Sequence, residues 1–337
     1  PSHNFRQAVM QKIAFFSSTN DLSLGSYRIW VHDLNHYMNE IGVESVLYKN
    51  GMNLSEYGIV ICAKNDLRTA NQIKGDFPNK KVGIINLSAD KKNQAVDFVI
   101  VGSIEEKDSL SHYENVFLYP LVERIYQKQN VKTHHKKNQV TIGYHGSYTH
   151  LSKFQPNLKT ALEEVSKLHS IKLKIITSNE NFDWTVGRPN IDNIEIVRWN
   201  FHTVKSELLK CDIGIVPNAT TLDYKDLGLS TSVDLGLYNT DYLLRFKNKS
   251  NAGRSYVFHQ LGIPVVADIT PSNLHILGNP DCGYAVCSAN GWKKALIELQ
   301  SPKKRSYIAQ NAKREFDRLY NPQEWARRLY NEIMEIK

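Results

Sequence analysis

The sequence is poor in the features that define several function classes. Its four cysteines, Cys62, Cys211, Cys282 and Cys287, include no CxxC pair, which excludes a zinc ribbon or a dithiol redox motif. Cys62 and Cys211 lie in apolar runs and read as core. Cys282 and Cys287 are expected to be free thiols. No apolar run approaches the ~18 residues that a membrane span needs, and no secretory signal opens the chain. A cytoplasmic protein is therefore expected. The histidines, His134 and His135 among them, show no metal-ligand spacing, and no metal site is expected. The formal net charge of +8 would suit a polyanion or an anionic membrane surface. Yet the basic runs (Lys91-Lys92, Lys132 to Lys137, Lys303 to Arg305, Arg327-Arg328) are scattered and carry no interleaved aromatic stripe. A nucleic-acid partner is not expected.

What is present is a regular alternation. Short apolar runs that read as strands occupy 12–18, 43–48, 58–63, 81–87, 97–102 and 116–121. Between them lie longer pieces, of which 27–41 carries Ile29, Trp30, Leu34, Tyr37, Met38 and Ile41 at helical spacing. Continuous apolar strands separated by helices imply parallel sheets covered on both faces. The stretch 124–139 is polar and basic and reads as a linker. The alternation then resumes, with strands at 140–144, 172–177, 194–197, 212–216, 264–267 and 284–286. Helices are expected at 154–169, 204–210, 255–261, 292–299, 303–319 and 322–336, and a turn at 270–277. The expected division is an N-terminal Rossmann-like domain over 1–123, the linker 124–139, a second Rossmann-like domain over 140–320 and a C-terminal helix over 321–337 that returns to the first domain.

In open α/β sheets ligands lie beyond the carboxyl ends of the strands. The most informative such segment is RFKNKSNAGRSYVFHQLGIPVVA, Arg245 to Ala267. A loop rich in Lys, Asn and Gly runs there into a helix start, where backbone amides and the helix dipole favour an anion. The bland alternative is an ordinary βα unit with a solvated basic loop.

The motifs of the second half resemble the C-terminal domain of GT-B glycosyltransferases that use nucleotide-sugar donors. IGYHGSYTHLSKF at 142–154 is similar to the strand and glycine loop that open such domains. CDIGIVPN at 211–218 is similar to the strand before the donor pocket, and KNKSNAGRSYVFHQLGIPVVA at 247–267 to a segment of bacterial surface-polysaccharide members. The resemblance implies the α/β GT-B fold: two tandem Rossmann-like domains with a cleft between them, the donor on the second and the acceptor on the first. It implies transfer of a sugar from a nucleotide-sugar, without metal or other cofactor, to a glycan or lipid-linked acceptor, with peripheral contact at the inner face of the cytoplasmic membrane. Lys249, Asn251 and Arg254, with Ser250 and Lys247, are expected at the donor phosphates. Gly146 and Ser147 allow close backbone approach there, and Lys153 is a further cation. His150, Trp199 and Asp223 are assigned to the donor base or sugar, and Gly25 and Ser26 to the acceptor side. Asp21, Asp90 and His145 are the candidates for acid–base work, each also readable as a turn, cap or structural residue.

One departure stands out. Many retaining members carry two glutamates separated by seven residues, and the corresponding positions here are Lys249 and Val257. Stereochemistry and donor identity therefore stay open. So do two other readings: a GT-B binding module without chemistry, and a nucleotide-sugar epimerase.

Overall fold

The computed structural model describes residues 11–49, 51–87, 91, 94–148, 150, 156–185, 187–218 and 251–337. The chain divides into two compact units, Pro1–Arg124 with Tyr320–Lys337, and Ile125–Leu319.

In the first unit six parallel strands form one sheet in the order β2-β1-β3-β4-β5-β6. They are β1 (Ile13–Phe16), β2 (Ser45–Leu47), β3 (Ile59–Cys62), β4 (Lys81–Ile85), β5 (Phe98–Val101) and β6 (Val116–Leu118). Every residue of β3 and β5 is buried, because these apolar runs are covered on both faces. Helix α1 starts as Gly25–Tyr27, widens to the π form over Arg28–Asp33 and continues as Leu34–Glu40. Helices α2 (Leu67–Asp76) and α3 (Ile104–Ser109) lie on the β3–β4 and β5–β6 connections. The π-helical turn buries two charged residues, Arg28 and Asp33. Arg28 donates from Nε to Glu123 at 2.9 Å and from Nη1 to the Leu22 carbonyl at 2.6 Å. The loop after β1 is thus held by a buried ion pair. Burial raises the Glu123 carboxyl above its ordinary range, against the pull of Arg28.

The second unit repeats the plan with the order β12-β11-β10-β7-β8-β9, again all parallel. Its strands are β7 (Val140–His145), β8 (Ile171–Thr177), β9 (Ile194–Arg198), β10 (Ile213–Val216), β11 (Val265–Asp268) and β12 (Tyr284–Val286). Its helices are α4 (Pro156–Ser166), α5 (Val204–Leu209), α6 (Gly253–Leu261), α7 (Pro271–Leu277), α8 (Ala289–Glu298) and α9 (Pro302–Leu319). Ile142, Leu158, Leu162, Ile175, Trp292 and Leu296 anchor its core, each fully buried. The expected turn at 270–277 is instead α7. Thr270 caps it by accepting from Asn273 N, and Pro271 fits its first turn.

The stretch read as a linker packs specifically on the second unit. Lys137 donates to buried Asp212 at 2.7 Å, and Lys132 donates to the Cys211 carbonyl. Buried Arg305 donates to the His135 carbonyl at 2.8 Å. His134 Nε2 donates to the Gly262 carbonyl at 3.0 Å. Gly262 has φ +68, and a Cβ there would lie 2.7 Å from Lys132 N, so the strap requires glycine beneath it.

The final helix, α10 (Pro322–Met334), belongs to the first unit. Asn321 caps it, and Ala326, Leu329, Tyr330 and Ile333 form its buried stripe. Lys81 Nζ closes its end on the Ile333 and Met334 carbonyls at 3.0 and 2.9 Å. Among the described residues no helix is long and apolar enough to cross a membrane.

The strap makes stability acid-sensitive. Burial pushes the His134 pKa down from 6.5 to about 4, with the charges of Lys132 and Arg305 adding to it. Its Nδ1 is buried without a partner, so the protonated ring is disfavoured in the folded state. The unfolded chain takes up a proton below pH 6.5 while the folded chain does not, so stability falls on acidification through the window 6.5 to 4. His134→Gln, which can still donate to Gly262, is expected to remove about 1.4 kcal/mol of pH dependence per pH unit in that window. Urea unfolding at pH 7.5, 6 and 5 measures this. An unchanged slope would mean that His134 does not titrate as described.

Candidate anion-binding site

The second sheet grows from β7 in both directions, through β8 and β9 on one side and β10, β11 and β12 on the other. The strand order therefore reverses between β7 and β10. In such sheets the crevice beyond the carboxyl ends at that reversal is where ligands bind. Here the loop His145–Ser147 follows β7, Pro217 and Asn218 follow β10, and the first turn of α6 stands against both.

Helix α6 starts at Gly253, two residues before the expected Ser255, which places Arg254 in its first turn. Ser255 to Leu261 are all buried, as expected of a helix covered on every side. Gly262 in the left-handed conformation stops it. At its other end Ala252 offers no side-chain cap, and Gly253 N donates to Asn251 Oδ1 at 3.2 Å. The next two amides, of Arg254 and Ser255, belong to the first turn, which has no intrahelical acceptors.

Arg254 organises the crevice. Its guanidinium donates from Nη1 to the Tyr144 hydroxyl at 3.2 Å and from Nη2 to the Pro217 carbonyl at 2.9 Å and to Asn218 Oδ1. It also lies over the Tyr144 ring, 5.5 Å from the centroid. Every one of these partners is neutral, and among the described residues no carboxylate pairs with Arg254. The charge is held in place without being cancelled. Two hydrogens, on Nε and on Nη1, are left by these described contacts. Gly146 has φ +130, and a Cβ there would come within 2.9 Å of Arg254 Cδ. Glycine is thus required both by the backbone and by the closeness of the arginine.

The surrounding polar groups fix this arrangement. Tyr144 donates from its hydroxyl to the Ser147 carbonyl at 3.0 Å, while Ser147 itself is exposed. Asn218 N donates to Asp268 Oδ2 at 2.7 Å, at the end of β11. Ser255 donates to Asn273 Oδ1 at 2.8 Å, and Asn273 Nδ2 donates to the Asp268 carbonyl at 3.1 Å. Beside the glycine loop Tyr148 stacks on Phe182, with centroids 6.2 Å apart, and Phe182 leans on Trp184. Tyr144, Asn218, Asp268 and this aromatic ledge are absent from the sequence-based assignment. A carboxylate closing the apolar run at Asp268 was the one available signal.

The expected residues divide into distinct sets. Gly146, Ser147, Asn251 and Arg254 gather at the crevice. His145 is 93% buried and, with its proton on Nε2, donates to the Arg254 carbonyl at 3.1 Å, edge-on to Phe258. It braces the first turn of α6. His150 N donates to the Ser147 carbonyl at 3.2 Å. Trp199, half-buried, extends the β8–β9 edge through its N–H to the Thr177 carbonyl at 2.7 Å. In the first unit Asp21 accepts from Ser23 N at 2.8 Å and Ser23 Oγ at 2.7 Å. Those bonds hold its carboxyl below the usual range and make it a weak base. Gly25 and Ser26 open α1. Asp90, Lys153, Asp223, Lys247, Lys249 and Ser250 lie outside the described residues. Among the described residues no cluster of three or more His, Cys, Asp or Glu side chains is placed to hold a metal ion.

No family model and no curated protein matches the sequence. Solved structures do match. HepE (Alr3699) of Anabaena, solved with UDP and glucose, superposes with a TM-score of 0.62 at 10% identity, over 96% of this chain and 100% of that one. Sucrose-phosphate synthase of Thermosynechococcus elongatus gives 0.63 at 12% identity, over 97% and 100%. A glycosyltransferase of Rickettsia africae gives 0.61 at 10% identity, over 97% and 100%. The fold is GT-B. Identities this low establish the GT-B architecture and leave the chemistry to the residues.

Within this GT-B fold Gly146 provides a local test. Gly146→Ala is expected to cost about 1–3 kcal/mol of stability, read from urea unfolding, since both the backbone and Arg254 oppose a Cβ. A variant as stable as the parent would show that the loop does not sit against Arg254 as described.

Proposed function

We propose that this protein is a glycosyltransferase that moves a sugar from a UDP-sugar to a glycan or lipid-linked acceptor. The observation that carries this reading is Arg254: a cation fixed by neutral partners, with no carboxylate partner among the described residues, at the first turn of α6, over a glycine loop, at the reversal point of the second sheet. A nucleoside diphosphate fits that arrangement. Bond cleavage at the sugar places negative charge on the departing phosphate oxygen, and preorganised donors act most strongly where charge develops. Arg254 and the amides of Arg254 and Ser255 would supply that stabilisation without a metal ion. The choice of UDP is supported by HepE, which was solved with UDP and glucose.

The donor would belong to residues 140–320 and the acceptor to 1–123, with Gly25 and Ser26 at the start of α1, just after the loop held by Arg28. Lys249, Ser250, Lys247 and Lys153 remain proposed as further phosphate contacts, and His150, Trp199 and Asp223 as contacts to base or sugar. A basic surface would help hold a lipid-linked acceptor at the inner face of the membrane, in surface polysaccharide synthesis.

A second reading, a binding module without chemistry, is favoured by one residue. Val257 is 99% buried in α6, so no ribose contact comes from the position where many retaining enzymes hold a glutamate.

Titration calorimetry with UDP, GDP, CMP and dTDP, followed by nucleotide release from UDP-sugars, tests the proposal. UDP is expected to bind tightest, and Arg254→Ala to weaken it about ten-fold or more, the scale of a lost charged hydrogen bond. Unchanged affinity in Arg254→Ala would remove the phosphate assignment. Tight UDP binding without transfer to any acceptor would establish the binding-module reading.

A further inference from the structure

A cation that binds phosphate well must be held in place before the ligand arrives, and the groups holding it act at a distance from the phosphate. We infer that Asp268, through Asn218, is a positioning residue that aims Arg254 at the donor phosphates; this rests on the donor reading above. Asp268 closes β11 and is 99% buried. Its Oδ2 accepts from Asn218 N at 2.7 Å and so fixes the backbone as the chain leaves β10. Asn218, 94% buried, turns its Oδ1 to Arg254 Nη2, and the neighbouring Pro217 carbonyl takes the same nitrogen at 2.9 Å. Both acceptors on that end of the guanidinium therefore depend on the segment that Asp268 holds.

Asp268 is itself anchored at its main chain. Its carbonyl accepts from Asn273 Nδ2 at 3.1 Å, and Asn273 Oδ1 accepts from Ser255 Oγ at 2.8 Å, one residue beyond Arg254. The bonds close a ring: β11 to β10, β10 to the Arg254 side chain, along the first turn of α6 to Ser255, and back through α7 to β11. Within that ring both Nη2 hydrogens are committed to Asn218 and Pro217, and the planar guanidinium can no longer swing. The hydrogens on Nε and Nη1 then face a fixed direction. A carboxylate is the strongest available acceptor for the Asn218 main-chain amide, and because Asp268 spends that oxygen on a main-chain N–H, no carboxylate among the described residues pairs with Arg254. Asp268 touches neither phosphate nor sugar in this account; it acts through Asn218 and Arg254.

The test is a double-mutant cycle read by UDP affinity, with circular dichroism and thermal melting on each variant. Asp268→Ala is expected to weaken UDP about ten-fold in the parent and to have no further effect in Arg254→Ala, because its influence passes through that side chain. Asp268→Asn, which keeps an acceptor oxygen, is expected to stay within about three-fold of the parent. Additive losses from Asp268→Ala and Arg254→Ala would overturn the inference. So would Asp268→Asn as weak as Asp268→Ala. If Asp268→Ala unfolds, Asn218→Ala takes its place in the same cycle with the same expected non-additivity. If both unfold, the ring is a folding element and the inference fails. Parent protein that does not bind UDP, or Arg254→Ala that binds it unchanged, would overturn the donor reading instead. Those results are distinct from an additive cycle, which overturns the positioning role alone.

Discussion

A guanidinium whose protein partners are all neutral keeps its charge, and half-buried at a sheet edge that charge calls for an anion. Among the described residues Arg254 meets this condition, and much of the second unit serves it. The order of the strands puts the ends of β7 and β10 side by side. Gly146 gives up its side chain so that the arginine can lie on its backbone. His145 supports the turn that carries it. Tyr144, Pro217 and Asn218 hold its far end without neutralising it. An acidic partner in place of any of these would stabilise the empty protein and weaken the site, since the ion pair would have to be broken for a phosphate to bind.

The other end of α6 is just as tightly defined. Gly262 ends the helix under residues 131–134, where His134 donates to its carbonyl. Lys132 and Lys137 then converge on Asp212 at the start of β10, the strand that leads to Asn218. Burial alone would raise the Asp212 carboxyl, but the bonds from Lys137 and Thr141 N and the charge of Lys132 hold it below its usual range. The helix and the strand that place Arg254 and its acceptors are thus fixed at their far ends by one polar strap. Charge organises the first unit too, with Arg28 and Glu123 buried beside the loop after β1.

Much of this plan is legible in the sequence because it is written in apolar runs. IVIC and FVIV, apolar and β-branched, read as strands covered on both faces, and a glycine after HQL reads as a helix stop. The features that escape are polar and tertiary. Tyr144 sits inside VTIGYH and looks like core until its hydroxyl is seen between Arg254 and Ser147. Asp268 lies one residue past the run PVVA, where a strand's end is read least securely. The strap 131–137 has no periodicity because hydrogen bonds, not a hydrophobic face, hold it. Helix α7 is short and polar, and Thr270-Pro271, which reads as a turn, is its cap. The widened turn of α1 leaves no pattern at all: a π segment has the same residue types as the helix around it.

The central claim is that Arg254 is held ready for a phosphate. A crystal structure of the protein with UDP addresses it most directly. The account predicts a phosphate oxygen within about 3 Å of the Arg254 guanidinium, with Asn218 and Pro217 still bound to Nη2 and the first-turn amides of α6 facing the same group. UDP phosphates bound elsewhere, with Arg254 touching only its own chain, would contradict it.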